Sequence, residues 1–295
     1  YAVGYTDSEG EGLEDCLIVK FNVADLSIAA RKVYGGIQYD HFNAVFVDGA
    51  YVYAVGYTDS EGQGLADCLI LKLNKADLSI ADRKVYGGAA NEQLWGVFVD
   101  GAYVYAVGYT ESEGEGASDC LILKLNVADL SIAARKVYGG LGGDSFLRVF
   151  VDGSYVYAVG YTGSEGEGLE DCLIVKFNVA DLSIADRKVY GGLGAEYFTG
   201  VFVDGAYVYA VGYTDSEGEG AGDCLAFSST IPTIPIGNSV PAGFVCANSA
   251  LTLANSALTL ADSALTLADS ALTLANSALT LADSALTLSA QYVIT

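Results

Sequence analysis

Residues 45 to 96 read VFVDGAYVYAVGYTDSEGQGLADCLILKLNKADLSIADRKVYGGAANEQLWG, after which the same pattern starts again. Its most regular segment, YAVGYT, begins at Tyr1, Tyr53, Tyr105, Tyr157 and Tyr209, at a constant spacing of 52 residues. Each unit holds four short strand-like runs, GVFVDG, YVYAVGYT, DCLILKLN and LSIADRKVYGG, separated by Asp-Gly, Gly-rich and Asn/Asp turn signals. Four antiparallel strands in a repeat of this length are typical of a β-propeller blade.

The number of blades depends on how the two ends of the repeat array are completed. With the four strands named A to D in order, the chain starts at strand B, so the first blade lacks an A strand and the last lacks a D strand. Residues 230–236 can supply a degenerate D strand, and residues 243–246 can supply an A strand that pairs with residues 1–6. We therefore predict an all-β, five-bladed propeller over residues 1–247, with four blades plus spare strands as the alternative.

The balance of charged residues argues against one class of binding partner. The chain has 295 residues, 14 basic and 37 acidic, and a net charge of -23. Nucleic-acid binding needs clustered Lys and Arg, so this balance argues against it. No apolar run is long enough to span a bilayer as a helix. The Arg-Lys pairs in strand D, such as Arg83-Lys84, are interpreted as charges that block edge-to-edge aggregation.

Five of the six cysteines, Cys16, Cys68, Cys120, Cys172 and Cys224, occupy the same place in successive repeats. Equivalent positions in neighbouring blades lie beyond the roughly 7 Å Cα separation that a disulfide tolerates, which predicts buried free thiols. Cys246 alone is off register, and a bridge between Cys224 and Cys246 stays open.

The four repeated segments, strand A ending VDG, strand B as YVYAVGYT, strand C as DCLIVKFN and strand D ending VYGG, resemble the bacterial and archaeal extracellular β-propeller repeats often called SBBP repeats. The resemblance covers residues 1–247. It implies a propeller fold, a location outside the cell or on its surface, and a scaffolding or adhesive role without one shared activity. The chain differs from that family in its five blades, where larger rings are expected, and in its C-terminal tail.

Strand direction places the B-to-C and D-to-A links at one end of the blades, where they gather 24 of the 37 acidic residues. Alternating carboxylates and glycines in TDSEGEGLED are the kind of ligand that Ca²⁺ uses, although the EF-hand register is absent. Solvated acidic turns are the competing interpretation. The candidate calcium ligands are Asp7, Glu9, Glu11, Asp15, Asp59, Glu61, Asp215, Glu217 and Glu219.

The repeats diverge from one another mainly in the D-to-A links, which carry the single His and the single Trp. Propellers commonly bind ligands near such links, so a glycan or another cell-surface protein is a candidate partner. Loop drift around a fixed acid and a fixed apolar anchor is the alternative. The candidate ligand-binding residues are Asp40, His41, Glu92, Trp95, Asp144, Glu196 and Tyr197.

Catalysis is not expected. Acid–base or nucleophilic chemistry needs a distinctive constellation of side chains, whereas the chain has one His and its acidic clusters recur in every repeat. Repetition of that kind suits an architectural protein.

Residues 248–295 form a C-terminal tail dominated by a seven-residue repeat, ANSALTL or ADSALTL, which runs six times over residues 247–288. On a helix the Leu and Ala residues occupy one continuous arc, which favours a helix, whereas Thr, Ser and Asp/Asn favour a β-solenoid as the alternative. Either structure presents an apolar face that needs a partner. The candidate assembly residues are Phe244, Val245, Leu251, Leu253, Leu258, Leu260, Leu265 and Leu267.

Taken together, these patterns predict an extracellular structural subunit that binds copies of itself and forms a filament or surface array, with the tail and the terminal strand as connector. The alternative is a surface adhesin or ligand-binding propeller.

Overall fold

The computed structural model describes residues 1–218 and 222–230, and within these ranges every element of regular structure is a β-strand. The prediction of an all-β fold built from 52-residue repeats is therefore confirmed. The predicted closing strands and the seven-residue repeat, with the domain boundary at residue 247, lie outside the described residues. All described strands belong to one compact unit, Tyr1–Gly237.

Eighteen strands follow one another along the chain. Their bounds are β1 Ala2–Thr6, β2 Asp15–Phe21, β3 Ile28–Tyr34, β4 Asp40–Asp48, β5 Tyr51–Thr58, β6 Asp67–Asn74, β7 Ile80–Tyr86, β8 Glu92–Val99, β9 Tyr103–Thr110, β10 Asp119–Asn126, β11 Ile132–Tyr138, β12 Asp144–Val151, β13 Tyr155–Thr162, β14 Asp171–Asn178, β15 Ile184–Tyr190, β16 Glu196–Val203, β17 Tyr207–Thr214 and β18 Asp223–Thr230.

The strands form five separate antiparallel sheets in chain order. The first sheet (β1–β3) and the fifth (β16–β18) have three strands each, and the second (β4–β7), third (β8–β11) and fourth (β12–β15) have four. Within residues 1–218 and 222–230, the first sheet thus has no strand before β1 and the fifth has none after β18. This is the incompleteness that the repeat phase predicts.

Consecutive sheets pack face to face through two different surfaces. In the second sheet, one face presents Tyr53, Val55, Cys68 and Ile70, and we call the equivalent surface of every sheet its forward face. It packs against the rear face of the third sheet, which presents Val104, Ala106, Leu121, Leu123 and Leu125. The same pairing recurs between the third and fourth sheets. Burial of one such side chain stabilises the fold by about 1.5–3 kcal/mol, so repetition of this interface supplies most of the core.

The first strand of each four-stranded sheet lies at the centre of these contacts. Strand β8, for example, contacts β4, β5 and β6 of the preceding sheet. First strands also carry a row of phenylalanines, with ring centroids 4.8 Å apart for Phe46–Phe98, 5.2 Å for Phe98–Phe150 and 5.1 Å for Phe150–Phe202. A sheet without its first strand therefore lacks the strand that makes the widest contact with its predecessor.

Buried lysines join the second sheet to the third and the third to the fourth. Lys124 is 4% exposed, and its Nζ donates a hydrogen bond to the backbone oxygen of Val179 in the following sheet (2.6 Å). The same ammonium lies 3.9 Å from the centroid of the Tyr103 ring. Lys72 repeats the arrangement with Val127 and Tyr51. The structure thus buries both of these strand-C lysines between sheets, although an ammonium ordinarily lies in contact with water.

The turn between the third and fourth strands of a repeat holds a leucine in the left-handed region, at φ 59° for Leu78, 51° for Leu130 and 58° for Leu182. An L-residue adopts this conformation at a cost of about 1–2 kcal/mol. Burial of the leucine side chain in the interface with the preceding sheet offsets that cost, because all three are at most 1% exposed.

Among residues 1–218 and 222–230, no sheet packs on the rear face of the first sheet or on the forward face of the fifth, and we call these the open faces. On the rear face of the first sheet, Leu26 keeps the left-handed conformation (φ 56°) yet is 73% exposed. On the forward face of the fifth sheet, Val211 is 50% exposed, whereas its equivalent Val107 is fully buried. The described part of the chain therefore presents two unlike apolar surfaces, each of the kind that is buried between inner sheets.

Candidate functional site

The links between repeats meet at one end of the sheets, and we call this region the loop end. Each link from the fourth strand to the next first strand lies between the long loop of its own sheet and that of the preceding sheet. The Glu92 amide donates to the carbonyl of Ala66 in the preceding loop (2.7 Å), and the Glu111 amide of the following loop donates to the carbonyl of Asn91 in the link (2.9 Å). Equivalent bonds surround Asp40, Asp144 and Glu196. Backbone pairing thus fixes the acid that begins each first strand.

Glu92 is 1% exposed and its carboxylate accepts three hydrogen bonds. The donors are the Gly88 amide (2.6 Å), the Thr110 hydroxyl (3.0 Å) and the Ser112 amide (3.1 Å). Glu196 has the equivalent three donors in the fifth sheet. Asp40 and Asp144 are also buried, and each accepts from a glycine amide and a serine hydroxyl. All four candidate ligand-binding acids therefore hold loops together.

A second buried acid faces each of these carboxylates. Asp67 begins β6 and is 1% exposed; its Oδ2 accepts from the Gln63 amide (2.7 Å), whereas its buried Oδ1 has no hydrogen-bond partner. A Cβ placed on Gly87 would lie 1.7 Å from Asp67 Oδ1 and 2.6 Å from Glu92 Oε2. The two carboxylates thus converge on one glycine, which is needed because any side chain there would collide with both.

The same convergence recurs at Gly35, Gly139 and Gly191. Burial, and to a smaller extent the negative charge of Glu196, raises the pKa of Asp171 to about 6. Burial and the neighbouring Asp144 raise the pKa of Asp119 to about 6 as well, against the single bond from the Glu115 amide. Burial raises the pKa of Asp67, with a smaller contribution from Glu92. In these carboxyl pairs at the loop end, the ionised form of the aspartate is therefore disfavoured.

Glutamates of the long loops form ion pairs with the Arg of the strand-D Arg-Lys pairs. Glu61 accepts from Arg83 of its own sheet and from the Tyr34 hydroxyl of the preceding sheet, and Arg83 Nη1 also donates to that hydroxyl (2.9 Å). Glu113 and Glu165 repeat this Arg–Glu–Tyr cluster. In the first sheet Glu9 pairs with Arg31. The arginines, interpreted from the sequence as edge protection, thus also link neighbouring sheets.

The single His is held between two aromatic rings. His41 is half-buried, stacks on Tyr5 at 4.2 Å between centroids and packs on Tyr57 at 4.8 Å. Its Nε2 also bonds to Glu14. Tyr197, at the equivalent position of the fifth sheet, lies between Tyr161 and Tyr213 in the same way. These two candidate ligand-binding residues are therefore joined to the sheets by ring contacts.

Trp95 stands at the irregularity in β8 where pairing shifts between Leu94 and Gly96. Its side chain is half-buried and its backbone oxygen accepts from Arg148 Nη1 of the next sheet (2.9 Å). Strand β8 continues on either side of Trp95. Trp95 therefore lies within the strand, and not in the link that precedes it.

The candidate calcium ligands are spread over different environments. Asp7, Glu11 and Asp215 are exposed, Asp15 is buried, and Asp59 is half-buried with a pKa raised by burial and by Asp40. Glu217 accepts from the Tyr190 hydroxyl. Glu219 lies outside the described residues. Within residues 1–218 and 222–230 no group of three or more His, Cys, Asp or Glu side chains is arranged to hold a metal ion.

Cysteine burial follows the repeat pattern. Cys16, Cys68, Cys120 and Cys172 are buried free thiols, as predicted, whereas Cys224 is exposed on the open forward face of the fifth sheet. The candidate assembly residues from Phe244 to Leu267 lie outside the described residues. In the part of the chain that the structure describes, no helix is long and apolar enough to cross a membrane.

Three features were missed by sequence reasoning: the carboxyl pairs and the Arg–Glu–Tyr clusters of the loop end, and the lysines buried between sheets near the opposite end. A usable signal was present, because the partners keep fixed separations of 22 residues for Arg and Glu and 27 for Tyr and Glu. Comparison of the sequence with models of known protein families gives no match, and comparison with the sequences of characterised proteins also gives none.

Proposed function

We propose that this chain is an extracellular, non-enzymatic structural subunit that assembles head to tail with copies of itself into a filament or surface array. The observation that carries the proposal is the pair of unlike open faces at the two ends of the sheet stack. A forward face packs on a rear face at each junction between inner sheets. Contact between the open forward face of one copy and the open rear face of the next repeats a surface pairing that the chain already uses.

The open rear face retains features that are useful only when it is covered. Leu26 adopts the strained left-handed turn, although its side chain is 73% exposed and no sheet of the described residues buries it as Leu78 is buried. Phe21 is 36% exposed, whereas its equivalents Leu73, Leu125 and Phe177 are fully buried. Exposed apolar surface of this kind marks an interaction site.

The open forward face is modified in a way that suggests its partner. Ala226 stands where the other sheets have Ile, and Ser228 stands where they have the buried Lys, whereas Tyr209 and Val211 are retained. The smaller side chains leave room for an additional strand. Residues 243–246, the candidate first strand for the incomplete first sheet, could fill that place. We propose that this strand and the seven-residue repeat connect one subunit to the next.

A contact between two unlike faces is heterologous, and a heterologous contact that does not close produces an open fibre. Closure within one chain would instead give a five-bladed propeller ring with a stalk. The resemblance to extracellular propeller repeats supports the blade geometry and the location outside the cell. The proposed propeller ring and its polymer differ only in whether the closing strand comes from the same copy or from the next.

Two full-length variants test the head-to-tail model: Leu26→Asp on the open rear face and Val211→Asp on the open forward face. Each variant alone is expected to remain monomeric in electron micrographs and in light scattering, while the wild type forms filaments. An equimolar mixture of the two is expected to form dimers, because each variant keeps one intact face. Leu141→Asp is the matched control, since Leu141 is 83% exposed in an inner repeat with sheets on both sides.

Monomers from the wild type at all concentrations would reject the polymer and favour closure within one chain. A truncation after residue 237 separates the two connector routes. Loss of filaments on truncation assigns the connection to the C-terminal segment; filaments that persist assign it to direct contact between the two open faces.

The second candidate function, a surface adhesin, is favoured by one observation. The links at the loop end present exposed apolar side chains, with Ile37, Leu141 and Leu193 all at least 73% exposed. A glycan or protein partner that uses this surface should be retained by the wild type in glycan-array or surface-binding measurements and lost with a Leu141→Asp/Leu193→Asp double variant. Filament formation should be unchanged in that variant.

A further inference from the structure

Two of the carboxyl pairs at the loop end contain a buried oxygen without a hydrogen-bond partner, and one added proton would supply the missing bond. In both, the glutamate that begins a first strand already accepts three hydrogen bonds, as described for Glu92 and Glu196. Each of these bonds uses a lone pair of a glutamate oxygen, so the glutamate is the acceptor in all of them. The facing aspartates, Asp67 and Asp171, each keep a buried Oδ1 without a hydrogen-bond partner.

The unpartnered oxygen is the one that faces the glutamate. At Gly191, a Cβ would lie 1.9 Å from Asp171 Oδ1 and 2.4 Å from Glu196 Oε2, so both oxygens approach the same point. In the other two pairs the unpartnered oxygen belongs to Asp40 or Asp144, and the oxygen of these residues that approaches the glycine is Oδ2. The arrangement is thus particular to the two pairs that contain glutamate.

We propose that Asp67 and Asp171 are held as neutral carboxylic acids, each donating a hydrogen bond from Oδ1 to the ionised Glu92 or Glu196, so that each of these two junctions binds one proton taken from solvent. The proton gives the buried Oδ1 a partner and lowers the charge of the pair from -2 to -1. A buried carboxylate without a counter-charge is strongly disfavoured.

The groups that face the two aspartates give no competing positive charge. Around Asp67 these are Glu92, Asp59 and the Cys68 thiol. Around Asp171 they are Glu196, Glu167 and the Cys172 thiol. Among the described residues, the ion pairs join arginines to loop glutamates and His41 to Glu14, and none includes a member of these two pairs.

The direction of the linked stability change follows from the raised pKa of the aspartates. The folded state binds these protons more tightly than the unfolded chain, in which Asp titrates near 3.9. Their stabilising contribution is therefore complete below that value and is lost as pH rises through about 6, the folded-state pKa of Asp171.

The test compares three double variants of the full chain in calcium-free buffer: Asp67→Asn/Asp171→Asn, Glu92→Gln/Glu196→Gln, and Asp7→Asn/Glu11→Gln. Asparagine mimics the neutral acid and can donate to the glutamate, whereas glutamine replaces an oxygen that must accept with an NH₂ group that donates. Asp7 and Glu11 are exposed, so the third variant changes the net charge equally without touching the pairs.

The aspartate variant is expected to keep the wild-type midpoint of thermal unfolding near pH 7 or to raise it, and to lose about two protons from the pH dependence of unfolding. Part of the slope remains, because Asp119 is unchanged. Infrared spectra of the wild type at about pH 5 should contain a neutral carboxylic acid band whose intensity falls by about two groups in this variant. The glutamate variant should lower the midpoint across the whole pH range, and the exposed variant should change neither quantity.

Equal losses of stability in the aspartate and glutamate variants at all pH values would overturn the assignment. A neutral carboxylic acid band of the same intensity in the aspartate variant and the wild type would also overturn it. A saturable rise of the midpoint on addition of CaCl₂ that is present in the wild type and absent from the aspartate variant would also overturn it, because the pairs would then hold a cation. Failure of the chain to polymerise has no bearing on these outcomes, so the test is independent of the proposed function.

Discussion

Replacement of Lys124 by Met removes one ammonium from the interface between the third and fourth sheets while keeping most of the side-chain volume. In the structure Lys124 Nζ donates to the Val179 oxygen at 2.6 Å, lies 3.9 Å from the Tyr103 ring centroid and is almost fully buried. The variant therefore removes this donor from the half-buried Val179 carbonyl and the cation from the face of the Tyr103 ring.

The expected cost follows from opposing terms. Loss of a charge-assisted hydrogen bond costs about 1.5–3 kcal/mol, and loss of a desolvated cation–π contact costs about 2 kcal/mol. Removal of a buried charge returns about 2 kcal/mol or more of desolvation free energy, because the ammonium no longer has to leave water. We expect a net decrease of about 2 kcal/mol in the free energy of unfolding.

The chain contains its own control for this variant. Lys20 occupies the same position in the first sheet and donates to the Lys75 oxygen at 3.0 Å, but it is half-buried and its contact is exposed. Lys20→Met is expected to cost about 1 kcal/mol or less. Each variant removes one positive charge. A difference between their losses of unfolding free energy therefore reports the burial of the lysine in the interface.

Urea unfolding followed by circular dichroism and by Trp95 fluorescence provides the measurement. Coincidence of the two curves is needed, since repeat arrays can unfold in parts. A loss below about 0.5 kcal/mol for Lys124→Met, or an equal loss for both variants, would refute the argument that these lysines stabilise the junctions between sheets.

Three further changes have defined outcomes. Gly87→Ala should destabilise strongly in a thermal melt, because its Cβ would lie 1.7 Å from Asp67 Oδ1, whereas Gly4→Ala has no atom within 4 Å and should be nearly neutral; similar melts would contradict this. Arg83→Ala should cost about 1 kcal/mol at low salt, more than Arg31→Ala, which lacks the tyrosine of a preceding sheet, and the difference should shrink at high salt; an unchanged difference would argue against a charge effect. Alkaline pH should unfold the chain, because burial raises the pKa of Tyr53 to about 12 and the neutral phenol stabilises the folded state below pH of about 10; this stability is lost as pH rises towards 12, and a Tyr53→Phe variant that unfolds at the same alkaline pH as the wild type would refute the coupling.

Much of the local structure could be predicted from the sequence because each signal is local. The alternation in YVYAVGYT and DCLILKLN predicts strands, and the strict 52-residue spacing predicts five copies of one sheet and the incompleteness of the first and last. The first-strand acids and their apolar neighbours were also recognised as fixed points of variable links. These inferences need only the side-chain period of a strand and the turn preferences of Gly, Asp and Asn.

The roles of the charged residues depended on contacts between repeats. Asp67 and Glu92 are 25 residues apart in sequence, and nothing in their local segments shows that both carboxylates converge on Gly87. From the sequence, the loop acids were interpreted either as calcium ligands or as solvated acidic turns. In the folded chain Glu61 pairs with Arg83, and Asp67 is buried, because the packing of neighbouring sheets brings these groups together.

By itself, then, the sequence determined the strands, their order within each repeat and the number of repeats, since hydrophobic alternation and turn residues act over a few residues. Only the tertiary structure decided which faces meet, which lysines and acids are buried and which two faces stay open. Those outcomes depend on which groups lose contact with water between sheets. The residues that cover such a group lie about 50 residues away in the sequence, in the neighbouring repeat. Lys20 and Lys124 share one sequence context, yet only Lys124 is buried between complete sheets.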